Sequence, residues 1–247
     1  MIRLLIIAIP LVLFFLISLP IMLIFLIVRL FSKKACDYIS LRWVQLGLWL
    51  ADKITGMRYE VKGKENIATD EAVLYVGNHL SIFDILVLYP QMKKTTGFVA
   101  KKEINKVPIL NLLMRFTHCI FLDRKDPRDG LRMVMDAANL IKSGTSVFLF
   151  PEGTRSKDGE MLDFKTGSFK IVEKTHCKVV PVRIDYEKEV FEDHLPKFYA
   201  NKAHVKFFEA IDTSDMDKHQ IKDLAVQVHD LLKEEGENRR SGNNLQS

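Results

Sequence analysis

The amino-acid sequence predicts an α/β fold: a central, largely parallel sheet of about seven strands flanked by helices, with an N-terminal hydrophobic membrane-anchoring helix or helical hairpin. After Gly56, short apolar runs alternate with helical stretches. Several of these runs are apolar throughout, as expected of strands covered on both faces. With 247 residues, the chain has room for one such domain and an anchor.

The first predicted element is the apolar segment 4–28, which has no charged residue and only Ser18 as a polar side chain. As a helix it would measure about 37 Å, against a hydrocarbon core of about 30 Å. Pro10 and Pro20 each remove a helix hydrogen bond. A spanning helix and a re-entrant hairpin bent near Pro20 therefore both fit, and in either case we expect residues 1–34 to be a membrane anchor.

Basic residues gather after this segment, at Arg29, Lys33 and Lys34, whereas only Arg3 precedes it. The positive-inside rule then places the main domain on the cytoplasmic side of the cell membrane. The net charge of +5 favours anionic lipid surfaces. The sequence has neither a Lys/Arg block nor an interleaving of aromatic and basic residues, so nothing in it indicates nucleic-acid binding.

Residues 35–56 are apolar with interspersed charges, and two placements fit them. One is a helix at the membrane interface, with Trp43 and Trp49 near headgroup depth. The other is a helix packed on the catalytic domain.

The α/β domain is expected over residues 57–236. Its candidate strands are 58–63, 72–77, 96–101, 119–123, 146–150, 178–184 and 204–210. Its candidate helices are 81–91, 107–117, 128–142, 166–175 and an amphipathic last helix beginning near 221. We expect Gly236 to end that helix and the polar tail 237–247 to be disordered.

The cysteines Cys36, Cys119 and Cys177 are odd in number and show no C-x-x-C spacing. This argues against a disulfide framework and against a zinc site, and it fits a reducing compartment. No His/Asp cluster has metal-ligand spacing, so we expect neither a metal nor a cofactor.

The first motif that carries chemistry runs from Asn78 to Asp84, directly after a predicted strand. If a helix starts near Ser81, His79 lies in the preceding turn and Asp84 can reach back to it. An imidazole held by a carboxylate is the form that a general base takes. A purely structural role also fits, because Ser81-x-x-Asp84 is a capping-box pattern. No nucleophile motif accompanies the histidine, so the attacking group would come from the substrate.

The second motif follows the predicted strand 146–150, with Glu152, Gly153, Thr154 and Arg155 in a sharp turn. Gly153 can adopt a positive φ, and Thr154 and Arg155 offer a hydroxyl and a forked cation to an anion. A polar surface turn with a Glu152–Arg155 salt bridge is the alternative.

Further cations lie at predicted strand ends or in a loop: Arg124 after Phe121-Leu122-Asp123, Lys101 after strand 96–101, and Lys165. Each alone is most simply a solvated surface charge. Together at one edge of the sheet they would form a phosphate pocket.

Four motifs in this order resemble those of the glycerophospholipid acyltransferases, in particular the bacterial 1-acyl-sn-glycerol-3-phosphate (lysophosphatidate) acyltransferases. The motifs are Asn-His-x4-Asp, Phe-x-Asp-Arg, Phe-Pro-Glu-Gly-Thr-Arg-Ser and Val-Pro-Val, the last at 180–182, and the resemblance covers roughly 57–210. Two positions depart from the family pattern, since Cys119 stands where a glycine is common and Leu122 replaces the commoner isoleucine.

The resemblance implies that His79 is the catalytic base and Asp84 its partner. It also implies that Arg124, Glu152, Gly153 and Arg155 help to bind the glycerol phosphate of the acceptor, joined by Lys101 and Lys165. Asn78 and Thr154 support the motifs.

The expected reaction is O-acyl transfer from acyl-CoA or acyl-carrier protein to the sn-2 hydroxyl of lysophosphatidate. We expect backbone N–H groups near His79 or Gly153 to stabilise the tetrahedral oxyanion. Three rivals are the same chemistry on glycerol 3-phosphate or a headgroup-bearing lysophospholipid, a thioester hydrolase, and a non-catalytic lipid-binding protein. The sequence leaves the acyl donor, the acyl-chain length and the oligomeric state open.

Overall fold

The computed structural model of the protein describes residues 2–156, 160–187 and 202–244. The helices are α1 (Ile2–Phe31), α2 (Lys33–Thr55), α3 (Asp84–Leu88), α4 (Leu110–Phe116), α5 (Pro127–Lys142), α6 (Lys170–Thr175) and α7 (Lys218–Asn244). The strands are β1 (Arg58–Lys62), β2 (Leu74–Gly77), β3 (Thr96–Lys101), β4 (Ile120–Leu122), β5 (Ser146–Leu149), β6 (Val179–Tyr186) and β7 (Lys202–Phe207). Short 3₁₀ turns lie at Lys64–Asn66, Tyr89–Gln91, Lys102–Lys106 and Thr166–Phe169.

The strands form one sheet in the order β1-β7-β6-β2-β5-β3-β4. All neighbours are parallel except β6 and β7. The prediction of a largely parallel, seven-stranded sheet is therefore confirmed. Helices α5, α6 and α7 pack on one face, and α2 and α3 pack on the other. Because both faces are covered, β2 and β5 are buried at every position, which explains why they are apolar without alternation.

The N-terminal helix α1 is continuous through both of its prolines. The chain reverses at Ser32, whose side chain caps the N-terminus of α2. Helix α2 then returns along α1. The ring of Trp43 stacks on Phe14 with centroids 5.2 Å apart, and its indole N–H donates to Ser18 Oγ over 2.9 Å. A hairpin is thus present, but the predicted bend near Pro20 is wrong, because a capping serine and not a proline ends the helix.

Helix α1 keeps most of its apolar side chains exposed, among them Leu16, Leu23 and Ile27. Within the described residues, the segment 9–31 is the one helical stretch that is long and apolar enough to cross a membrane, with a mean hydropathy of 3.2.

Helix α2 joins this hairpin to the α/β domain. The Gln45 side chain donates to the carbonyl oxygen of Met92 over 2.9 Å, and His118 Nε2 lies 2.8 Å from Asp37 Oδ1. Helix α2 thus packs on the domain, as one of the two placements predicted for residues 35–56 requires, and the placement at the membrane interface stays a prediction.

The last helix continues through Gly236 to Asn244, so the predicted stop at Gly236 and the predicted disorder of residues 237–244 are wrong. A Cβ at position 236 would overlap the guanidinium of Arg183, so this glycine makes room for a buried side chain of β6. Beyond it, Arg239 Nε lies 3.8 Å from Asp185, and Arg240 pairs with Glu160. These long-range contacts keep the polar last part of α7 helical, which its composition alone would not do. Residues 245–247 lie outside the described part.

Candidate active site

His79 and Asp84 lie together where β2 ends. His79 Nδ1 is 2.7 Å from Asp84 Oδ2, and the same oxygen accepts the backbone N–H groups of Leu80 at 2.9 Å and Ser81 at 3.1 Å. The Ser81 hydroxyl in turn accepts the N–H of Phe83 at 3.0 Å. The predicted His–Asp contact is therefore present, and the same buried carboxylate also binds the backbone of the turn before α3. The predicted capping box at Ser81 is wrong, because α3 begins at Asp84 with Phe83 as its N-cap and has no side-chain cap.

This geometry fixes the orientation of the imidazole. With Nδ1 against a carboxylate, the ring carries its proton there and presents Nε2 as the nitrogen that can take a proton from a substrate. The face of the ring stacks on Phe150, with centroids 4.3 Å apart, and its side chain is 12% exposed. The pair can act as an oriented general base that is largely sheltered from water.

The turn after β5 holds the backbone of the same histidine. The N–H of His79 donates to Glu152 Oε1 over 2.7 Å, and its carbonyl oxygen accepts the N–H of Ser156 over 3.0 Å. The first and second sequence motifs thus contact each other through both backbone polar groups of His79.

Glu152 is 3% exposed, and its second oxygen accepts the N–H of Leu162 over 2.9 Å. Burial raises the pKa of this carboxyl to about 7, against the opposing effect of its two backbone donors. The alternative of a surface salt bridge between Glu152 and Arg155 is wrong, whereas a contact of Glu152 with the acceptor stays a prediction. Both of its oxygens are occupied by backbone N–H groups, because the turn folds inward over His79.

Gly153 has a φ of 71°, as predicted for this turn. A Cβ there would lie 2.6 Å from Lys165 Nζ, so the ammonium group of Lys165 rests directly over the glycine. The backbone N–H of Lys165 donates to the carbonyl oxygen of Pro151 over 3.0 Å, which closes the loop that carries it. Thr154 is exposed at the tip of the turn.

The expected oxyanion donors are engaged within the protein. The N–H of Gly153 donates to the carbonyl oxygen of Phe150 over 3.1 Å, and the N–H of His79 donates to Glu152. These two N–H groups are therefore occupied, and an oxyanion hole formed by other backbone N–H groups near His79 or Gly153 stays a prediction.

Two guanidinium groups come together beside this turn. Arg124 follows β4, and partial desolvation and the positive charge of Arg155 lower its pKa. Both side chains are exposed to solvent. Cations that repel one another are stabilised by an anion between them, and a phosphate is the natural ligand for paired arginines.

Lys101 stands apart from the arginines in its contacts. Its Nζ lies 3.6 Å from Glu103, and its side chain is 55% exposed. It ends β3 opposite Leu122, two residues before Arg124, so it borders the cationic region without contacting either guanidinium in the structure.

Asn78 faces away from the chemistry. Its fully buried side chain donates to the carbonyl oxygen of Ile184 over 2.9 Å and accepts the N–H of the same residue over 2.8 Å. It extends the pairing of β2 with β6 beyond Gly77, so its support for the motif is structural.

Sequence reasoning missed Tyr186. This residue ends β6, and its hydroxyl donates to Asp84 Oδ1 over 2.8 Å. The only local signal is a tyrosine closing a largely apolar strand. Its proximity to Asp84 depends on the pairing of β6 with β2.

Comparison with known proteins matches residues 58–185 to the family described as Acyltransferase. A chloroplastic 1-acyl-sn-glycerol-3-phosphate acyltransferase of Arabidopsis thaliana is 35% identical over 155 residues, which is 62% of this chain and 42% of the relative. This chain thus spans less than half the length of that relative. The 1-acyl-sn-glycerol-3-phosphate acyltransferase of Borreliella burgdorferi is 26% identical over 79% of this chain and 77% of the relative.

A solved structure is similar over nearly the whole chain. The crystal structure of the 1-acyl-sn-glycerophosphate (LPA) acyltransferase PlsC from Thermotoga maritima shares 27% identity with a TM-score of 0.70. The match covers 94% of this chain and 95% of that one. The similarity therefore extends beyond the matched family segment to the N-terminal hairpin and the last helix.

Proposed function

This chain belongs to the acyltransferase family, and on that premise we propose that it transfers a fatty acyl group from a thioester to the sn-2 hydroxyl of lysophosphatidate, giving phosphatidate. The observation that carries the proposal is the position of an oriented His79–Asp84 pair against the turn that also bears Arg155. Acylation of lysophosphatidate requires a base that takes the proton of its hydroxyl and cations that bind its phosphate. Relatives named for this activity support the choice of substrate.

In the proposed reaction the phosphate of the acceptor binds at Arg124, Arg155 and Lys165, and its free hydroxyl lies beside Nε2 of His79. His79 takes the hydroxyl proton as the oxygen attacks the thioester carbonyl carbon. Asp84 stabilises the imidazolium that forms.

Collapse of the tetrahedral intermediate breaks the carbon–sulfur bond, and His79 returns its proton to the departing thiolate. The products are the ester and the free thiol of the donor, which is acyl-CoA or acyl-carrier protein. Each step uses a side chain or a substrate group, so the mechanism requires neither a metal nor a cofactor. The described residues contain no group of three or more His, Cys, Asp or Glu placed to hold a metal ion.

We further propose that α1 anchors the protein in the cell membrane with the α/β domain on the cytoplasmic side. The exposed apolar surface of residues 9–31 would lie in the hydrocarbon, and Arg29, Lys33 and Lys34 would meet the anionic leaflet. An anchored enzyme meets an acceptor that resides in the bilayer.

The direct test is acyl transfer by the detergent-purified protein from labelled palmitoyl-CoA, or from the acyl-carrier protein thioester, to lysophosphatidate. Wild type should form labelled phosphatidate, His79→Ala should not, and His219→Ala, on the exposed face of α7, should match wild type. Acyl transfer to glycerol 3-phosphate or to headgroup-bearing lysolipids in preference to lysophosphatidate would reassign the acceptor. Donor cleavage that is independent of any acceptor would instead identify a hydrolase.

A further inference from the structure

We propose that Tyr186 is a positioning residue for the reaction, which holds the Asp84 carboxylate so that His79 presents Nε2 to the acceptor hydroxyl. The inference rests on the acyl-transfer function proposed above. It assigns a role to a residue that lies outside the sequence motifs.

The two oxygens of Asp84 have separate partners. Oδ2 faces His79 Nδ1 and the N–H groups of Leu80 and Ser81, whereas Oδ1 accepts the Tyr186 hydroxyl over 2.8 Å. Rotation of the carboxylate about its axis would break contacts on both sides. Without the phenol, only one oxygen is held, and the plane of the carboxylate is free to tilt away from the imidazole.

Tyr186 is suited to act as a permanent donor. Burial and the negative charge of Asp84 raise the pKa of its phenol well above the usual value, so the hydroxyl keeps its proton throughout the neutral range. A donor on Oδ1 also draws negative charge away from Oδ2. This weakens the attraction of the carboxylate for the imidazolium that forms during the reaction.

Other ionisable groups near the pair come from neighbouring elements. Glu152, from the turn after β5, contacts the backbone of His79, and the charge of Asp84 contributes to its raised pKa. Arg183, on β6, lowers the pKa of Glu152 and is itself bound to Asp185, with Nε 3.0 Å from the carboxylate. A Tyr186→Phe substitution leaves both groups in place, so its effect reports on the phenol alone.

The first experiment compares Tyr186→Phe with Tyr89→Phe. Tyr89 is a matched control, because it is a buried tyrosine on the same side of the sheet whose hydroxyl lies beside Thr117 and does not bind Asp84. We expect Tyr186→Phe to lower kcat roughly 10-fold, the effect of one hydrogen bond to a charged group, with the KM for lysophosphatidate unchanged. We expect Tyr89→Phe to match wild type.

The second measurement does not depend on activity. The protein is labelled with 13Cε1-histidine, the His79 signal is assigned by its loss in His79→Ala, and its titration is followed by NMR. Loss of the phenol should move the midpoint of the measured His79 titration to higher pH, because the carboxylate regains charge. In an Asp84→Asn background, Tyr186→Phe should have no further effect.

A variant that strengthens the donor covers the case in which the phenylalanine variant folds poorly. Site-specific 3-fluorotyrosine at position 186 keeps the hydroxyl but makes it more acidic, so the His79 midpoint should fall rather than rise. An unchanged titration in both variants, even with reduced activity, would overturn the proposal, because the hydroxyl would then not act through Asp84. If wild type formed no phosphatidate, the proposed function would fail, while the titration would still decide the coupling.

Discussion

The backbone N–H of His79 donates to the carboxylate of Glu152 over 2.7 Å, across 73 residues of sequence. This bond joins the two most distinctive motifs of the chain, and the same carboxylate also binds the N–H of Leu162. Glu152, which the sequence motif suggests as part of a ligand pocket, therefore holds the backbone of His79 in place.

Glu152→Gln should separate these two roles. The amide keeps one acceptor oxygen but places an NH2 group against a backbone N–H, so one of two buried hydrogen bonds is lost. We expect kcat to fall about 10- to 100-fold with less than about a 3-fold change in the KM for lysophosphatidate. Steady-state kinetics beside the exposed Glu209→Gln control would measure this, and a rise in KM at constant kcat would restore the acceptor-binding role.

For Arg155, beside Arg124, we expect the opposite kinetic pattern, in which KM changes more than kcat. Arg155→Ala should raise the KM for lysophosphatidate roughly 10-fold or more, since each arginine–phosphate contact is a charge-assisted hydrogen bond. The increase should be smaller for an acceptor that lacks the phosphate monoester. Lys222→Ala, an exposed cation on α7, serves as the control. An unchanged KM in Arg155→Ala would remove this residue from the phosphate site.

Asp52, in the last turn of α2, predicts a pH-dependent stability. It is 7% exposed, and burial raises its pKa from 3.8 to about 6 against the opposing effects of the Tyr59 hydroxyl and the charge of Lys53. The folded state then holds this proton more tightly than the unfolded state between these values. The carboxyl therefore makes the free energy of unfolding fall as the pH rises from about 4 to about 6.

Asp52→Asn removes this dependence. At pH 7.5 we expect the variant to be more stable than wild type by up to about 3 kcal/mol, and at pH 4 we expect the difference to vanish. Thermal unfolding in detergent at both pH values, with the exposed Asp215→Asn as the reference, checks the prediction. A gain of equal size at both pH values would show that the charge of Asp52 is not its cause.

Gly236 and Gly130 form a matched pair of helical glycines. A Cβ at 236 would overlap the Arg183 guanidinium, whereas a Cβ at 130, in α5, would meet nothing within 4 Å. Gly130→Ala should stabilise the protein by about 0.5–1 kcal/mol through helix propensity. Gly236→Ala should destabilise it by about 1–3 kcal/mol, because overpacking displaces a buried ion-paired side chain. Equal shifts in the unfolding temperature of the two variants would show that position 236 tolerates a side chain.

The sequence by itself determined the parts of this protein that depend on local pattern. Continuous apolar runs such as 147–149 identify strands covered on both faces, because burial on both sides favours apolar residues at successive positions. The short distance from His79 to Asp84 along the chain also allowed their pairing to be predicted, since both lie around a single helix start.

Only the tertiary structure decided the contacts between residues that are far apart in sequence. The bond of Tyr186 to Asp84 spans 102 residues and depends on the pairing of β6 with β2. The continuation of α7 through Gly236 depends on the side chain of Arg183 in β6. Local propensity describes one segment at a time. Strand register and helix packing fix which distant side chains meet, so the contacts that Tyr186 and Glu152 make with Asp84 and His79 could not be predicted from the motifs.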